Sequence, residues 1–401
     1  MQKMRNLRAI LCLVCIILGR NGAEDWHWNL REQLMGEAKT SDPTDDKYDL
    51  PLPQSPLQGS THMKDEDDDR SVVSSSSIEE VISKSYLEGS SRECRDQPPF
   101  LYVTLHDYSN ILKYTLDGCL VDHKILGDSP IRDRVELRGM AISLHPNFEG
   151  HLYVANAGAR EPQILLYGKC KEGGRRYFKE TIVSMDGERR NEGADHAYAI
   201  ALDADYNVFA TFQHTDVVLR FDASTFEPLP LPPALAMSSS SRNYFRGTFH
   251  QYGVAGEHDV DEQGIRGACV VGHRLWVANE NVGGVEIIDI FSGLVTDIVM
   301  VESPVGIAYS PEHDLVFIGS KKKHWEGAVL AVSRHTLKTV RSYRTTTMTH
   351  PTGLAIWGNT LYVGEQFLNK ILSFDIPSGD LIAKVVDDLP GEIEQIMISD
   401  C

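Results

Sequence analysis

The chain has no N-x-Ser/Thr acceptor, no excess of positive charge and, beyond its N-terminus, no apolar run approaching the roughly 20 residues that a membrane-spanning helix needs. N-glycosylation and membrane insertion are therefore not expected. Lysine and arginine number 39 against 57 acidic residues, a net charge of −18 at pH 7. Nucleic-acid binders need basic surface to displace counterions, so this balance excludes that class and disfavours anionic membrane surfaces. His-Glu-x-x-His, Gly-x-Ser-x-Gly and phosphate-loop motifs are absent, and no Cys-x-x-Cys occurs outside the first apolar run. None of the local signatures that carry those chemistries marks this chain as an enzyme.

What is present begins with Lys3, Arg5 and Arg8, followed by the uncharged run Ala9 to Leu18. The run is too short for a span and is flanked as a secretory signal is. Residues 1–23 read as a signal peptide cut near Gly19 or Ala23, with an uncleaved anchor as the alternative, and the protein as secreted or in the secretory lumen. Of the seven cysteines, Cys94, Cys119, Cys170, Cys269 and Cys401 then remain. Thiols that meet in that compartment oxidise, and an odd count leaves at least one free or intermolecular. Residues 24–98 are acidic and poor in aliphatics, with KDEDDDR and SVVSSSS among them. Such a stretch buries too little apolar surface to offset its ordering entropy, so a disordered acidic linker is predicted. A capping-box pattern at Ser77 and Glu80 suggests one short helix. The acidic run Asp65 to Asp69 reads as solvated charge.

From Phe100 the chain repeats itself. A bulky or aromatic residue flanked by others of apolar type recurs at Tyr102, Tyr153, Phe209, Trp276, Val316 and Tyr362, close to the 40–50-residue period of propeller blades. A second β-prone segment follows each copy, as in Ile111 to Tyr114 and Ile371 to Phe374. A third motif of small residues precedes five of them: Gly139-Met-Ala141, Ala197-Tyr-Ala199, Gly267-Ala-Cys269, Gly306-Ile-Ala308 and Gly353-Leu-Ala355. Small residues suit an innermost strand that crowds a central channel. The sixth copy is missing before Phe100, and one unclaimed strand, Ile393 to Ser399, stands at the C-terminus. The fold class is therefore all-β, a six-bladed propeller over 99–401 closed by its C-terminal strand, which removes exposed edges at the seam. The insertion between Pro228 and Gln263 lengthens the third repeat, and Tyr244 to Tyr252 is expected to complete its outer strand.

Leu152-Tyr-Val-Ala-Asn-Ala-Gly158, Leu275-Trp-Val-Ala-Asn279 and Pro304-Val-Gly-Ile-Ala-Tyr-Ser-Pro311 resemble repeats of NHL- and YVTN-type propellers. The resemblance covers residues 99–401 and implies architecture; these families include enzymes, receptor ectodomains and scaffolds, and fold does not settle function. Gluconolactonase-like lactonases share six-bladed rings, but their early Glu-Gly-Pro motif is absent. His145-Pro-Asn-Phe148 resembles a piece of the quinoprotein sugar dehydrogenases, without their catalytic pattern.

Convergent polar groups in a concavity are the default candidate site. The ends of the first and second strands of each blade should meet at the channel mouth. Arg138, His196, Arg266 and His350 there favour an anionic ligand. Asn156, Asn279 and Glu365 are oxygen donors of the kind calcium takes. The reading favoured is a secreted binding or scaffold protein that recognises a protein, peptide, glycan or small anionic ligand at that face. The alternative is a metal-dependent hydrolase of lactone or ester type, or a quinoprotein-like dehydrogenase. Disulfides Cys94–Cys401 and Cys119–Cys170 are predicted, with Cys269 a free, buried thiol.

Overall fold

The computed structural model describes residues 97–401 apart from 128–135, 159–161, 172–173, 186–188, 234–235, 237–244, 252–263 and 323–325. The stretch read as a signal peptide, nearly all of the expected acidic linker, Cys94 and most of the insertion lie outside these residues. The strands among the described residues form six four-stranded antiparallel sheets. The first blade takes β1 (Phe100–Leu105), β2 (Ile111–Thr115) and β3 (Leu120–Asp122). The second holds β4 (Leu137–Ile142), β5 (Leu152–Asn156), β6 (Gln163–Tyr167) and β7 (Phe178–Ser184). The third holds β8 (Ala197–Leu202), β9 (Val208–Phe212), β10 (Val217–Phe221) and β11 (Thr248–Gln251). The fourth runs through β12 (Ile265–Val271), β13 (Arg274–Asn279), β14 (Gly284–Asp289) and β15 (Val295–Met300). The fifth holds β16 (Pro304–Ser310), β17 (Leu315–Ser320), β18 (Ala328–Ser333) and β19 (Thr339–Tyr343). The sixth holds β20 (Pro351–Trp357), β21 (Thr360–Glu365), β22 (Lys370–Asp375) and β23 (Leu381–Val386), and β24 (Ile393–Ser399) is left over.

That last strand closes the ring as predicted. β24 lies against β1 from Phe100↔Ser399 to Leu105↔Ile393 and becomes the innermost strand of the first blade. The innermost strands β4, β8, β12, β16, β20 and β24 each touch the next around the axis. The middle strands are buried on both faces, since each blade is covered by a neighbour on either side. This is why they read as unbroken apolar runs without period-2 alternation. The core is accordingly divided among the blade junctions: Leu152 and Val154 pack against Tyr102 and Ile111, and Phe317 and Tyr343 against Leu361 and Phe374. β11 completes the third blade inside the span expected for it.

The third motif has a direct cause. A Cβ at Gly306 would stand 1.8 Å from the Thr352 carbonyl oxygen of the next innermost strand, and one at Gly267 would stand 2.3 Å from that of Val305. Only glycine admits the neighbouring backbone at that approach.

The disulfide pairing differs from the prediction. Cys170 is bonded to Cys401, with Cα atoms 5.9 Å apart, so neither Cys94–Cys401 nor Cys119–Cys170 forms. The equivalence of strand ends placed Cys119 beside Cys170, but the tail after β24 decides otherwise. Tyr102 faces the second blade and its hydroxyl donates to the Cys401 carbonyl at 2.7 Å, which draws the tail toward Cys170. Cys119 is disulfide-bonded too. Cys269 is free as expected, though half-buried; its apolar surroundings push the thiol pKa up.

Candidate functional site: the channel mouth

Each innermost strand enters the ring through a register shift at its mouth end. The first residue of each pairs with the last of the second strand: Leu137↔Asn156, Ala197↔Phe212, Ile265↔Asn279, Pro304↔Ser320 and Pro351↔Glu365, with Ile393↔Leu105 at the closure. A bulge re-aims the side chain beside it. The residue that follows each first position thus forms a six-membered ring: Arg138, Tyr198, Arg266, Val305, Thr352 and Glu394. Arg138, Tyr198, Thr352 and Glu394 of this ring, with the small residues that follow, line one small axial space.

This register corrects the sequence alignment in the third blade. The small-residue motif was set two residues early there, which put His196 where Tyr198 stands. His196 instead precedes the strand, as His350 precedes Pro351. Its backbone is left-handed, with φ 55°. Its ring stacks on His214 at 4.2 Å, and His214 lies 3.5 Å from the Asp195 carboxylate. Burial first, then the charges of Arg138, His214 and Arg266, hold its pKa down to about 2. His196 is therefore a neutral imidazole.

Four of the six ring residues form one electrostatic chain. Glu394 Oε2 accepts from Arg138 Nη1 at 2.7 Å, and Glu136 holds the other end of the same guanidinium. The Tyr198 ring lies between the guanidiniums of Arg138 and Arg266, 5.1 and 5.4 Å from its centroid. Arg266 pairs with Glu280, whose other oxygen is 2.6 Å from Lys321 Nζ. His106 Nδ1 is 3.0 Å from Glu394 and 3.2 Å from Glu136. Burial alone would raise the Glu394 carboxyl, but Arg138 and then His106 outweigh it and hold it below its ordinary value. Burial would lower His106, yet the hydrogen bond it donates to Glu394 and the charge of Glu136 raise it. Both sequence-predicted arginines are thus at the mouth, and both are already paired to carboxylates.

The three predicted oxygen donors are also at the mouth, on separate blades, with their oxygens engaged. Asn156 Oδ1 accepts from the amides of Glu136 and Gly158. Asn279 Oδ1 accepts from Asn281 N at 3.0 Å, while its amide donates to Glu286. Glu365 is fully buried: Oε1 accepts from Thr349 N, Thr349 Oγ1 and His350 N, and Oε2 from Leu368 N. These side chains tie down mouth loops. Among the described residues, donor atoms spaced for a metal occur instead at His106, Glu136 and Glu394, within 4.8 Å of one another. Arg138 already stands between those two carboxylates as a fixed cation. His350 lies beneath Phe367, with ring centroids 3.7 Å apart.

Sequence reasoning missed Tyr198, Glu136 and Glu394. An acidic residue in a closing strand was the available signal for Glu394; nothing local marked the other two.

No protein-family model and no curated protein matches the chain. Among solved structures, it is similar to a chain of the nidogen/laminin complex, with TM-score 0.52 and 14% identity over 76% of this chain and 100% of that one. It is also similar to a protein of unknown function from Bacteroides caccae, with TM-score 0.50 and 12% identity over 75% and 98%. At such identity these likenesses show the fold, a six-bladed β-propeller.

Proposed function

We propose that this is a secreted protein-binding propeller whose channel-mouth face docks a protein or peptide. The observation that carries the reading is the mutual pairing of the mouth's charged groups beneath exposed apolar rim residues. Arg138, Glu136 and Glu394 satisfy one another, as do Arg266, Lys321 and Glu280. Above them Phe367 and Val282 are each 42% exposed. A rigid, charge-compensated surface with solvated apolar anchors fits recognition, in which a few aromatic or aliphatic side chains contribute most of the affinity. The oxidised cysteines fit a secretory compartment, and a similar propeller chain occurs in the nidogen/laminin complex. The test is comparative capture from the secreted fraction with wild type and with Phe367→Asp. Loss of one captured protein in the variant supports the reading; equal capture moves the interface off the mouth.

A metal-dependent hydrolase has one observation in its favour, the His106, Glu136 and Glu394 donor group. An ion there must displace Arg138. Elemental analysis of the purified chain decides between the two readings, because the hydrolase needs one ion per chain.

A further inference from the structure

The outermost strand of every blade has one edge that no other strand of its sheet covers. Proteins blunt such edges with lysine or arginine, or by keeping the strand short. β19 carries Arg341, β23 carries Lys384 and β7 carries Lys179, while β3 and β11 have three and four residues. β15 departs from this pattern. Its sequence VTDIVM holds one charge, Asp297, and that carboxylate is drawn inward to Arg274 at 3.6 Å.

The same strand and the turn before it are apolar where they face water. Phe291 and Met300 are each 72% exposed, and Leu294, Ile298 and Val295 also stand out. Five of the thirteen exposed large apolar side chains among the described residues thus fall within ten consecutive positions, 291–300. The turn is held, because Asp289 Oδ1 accepts from the Ser292 amide and hydroxyl at 2.8 and 2.7 Å. Phe291 and Leu294 are displayed by a fixed backbone.

We propose that β15 is the seam of a homodimer, in which two copies pair their β15 strands antiparallel and join two blades into one continuous sheet. Identical edges related by a twofold are complementary in hydrogen bonding. Side chains directly opposite share a face, so the twofold passes through one residue position. Centring on Asp297 would set like charges together. Centring on Ile298 sets Ile298 against its own copy, Met300 against Thr296 and Asp297 against Val299, so that no like charges meet. The five side chains offer roughly 500 Å² of the ~800 Å² per partner that a standard interface buries, and the strand backbone with Ser292 and Thr296 adds to it. A second copy therefore fits this edge in strand polarity, register and area.

The test uses the full chain in size-exclusion chromatography with light scattering over a range of concentrations. Wild type should run at the dimer mass. Ile298→Lys and Met300→Lys should run as monomers, while Val340→Lys on β19 should remain dimeric. Ile298→Cys should form a covalent dimer on mild oxidation, because opposed residues bring their Cβ atoms to about 5 Å; Leu381→Cys on β23 should not. A wild type monomeric at every concentration, or a dimer that survives both lysine substitutions, overturns the proposal. If the lysine variants fail to fold, the cysteine pair decides: equal crosslinking at 298 and 381 overturns it. An edge built for a peptide of another protein would leave wild type monomeric and so counts against it.

Discussion

Glu394 Oε2 lies 2.7 Å from Arg138 Nη1, across 256 residues of sequence. The last strand of the chain is thereby fastened to the innermost strand of the second blade, and the ring is closed by an ion pair as well as by the β1–β24 ladder. Both side chains are nine-tenths buried or more.

Removing one partner of such a pair leaves an uncompensated buried charge. Glu394→Ala should destabilise by about 3–5 kcal/mol. Glu394→Gln, which keeps an acceptor but not the charge, should lose less. Chemical denaturation of the two variants against wild type measures both.

Stability should depend on pH through two histidines of opposite sign. His196 is held near pKa 2 in the fold against ~6.5 unfolded, so its contribution is complete above that unfolded value. It is lost as pH falls below it, by at most about 1.4 kcal/mol per pH unit. His106 is raised in the fold; its contribution is complete below its unfolded value and is lost as pH rises through the folded one. Melting curves at intervals between pH 4.5 and 8 should show His196→Asn flattening the acid side. The same curves should show His106→Gln flattening the neutral side.

Cys170 and Cys401 close a loop of 231 residues. Cys170→Ser should cost about 5 kcal/mol on the chain-entropy account, and non-reducing peptide mapping should recover the 170–401 pair. A Cys170 peptide joined to Cys119 would contradict this pairing.

Gly306→Ala places a methyl group 1.8 Å from the Thr352 carbonyl oxygen. Neither backbone has room to yield without moving an innermost strand, so a loss of at least 1–3 kcal/mol is expected, as for overpacked cores. Thermal melting reads it directly.

Glu365→Ala removes the acceptor of Thr349 N, His350 N and Leu368 N. Each donor left buried without a partner costs about 1–3 kcal/mol. The variant should be less stable than Glu365→Gln, and the mouth loops 344–350 and 366–369 should lose hydrogen-exchange protection first.

The six blades, their middle strands and the closing role of Ile393 to Ser399 followed from the sequence alone. Blade period and strand burial are local properties, so an apolar run between turn residues is recognisable without knowing its neighbours. Arg138 and Arg266 were legible as mouth residues for the same reason, because each sits beside a small-residue motif. Tertiary structure decided the rest. His196 gave way to Tyr198 because Ala197-Tyr-Ala199 and Ala199-Ile-Ala201 both fit the small-residue motif, and only the pairing of Ala197 with Phe212 selects the second. Asn156, Asn279 and Glu365 had the chemistry of cation ligands, yet their oxygens face amides of their own blades' mouth loops. Cys401 pairs with Cys170 because the Tyr102 hydroxyl draws the tail toward the second blade. Glu394 meets Arg138 only after the ring has closed. Short-range pattern is written along the chain, whereas charge pairing and disulfide choice depend on which distant backbones come within a few ångströms.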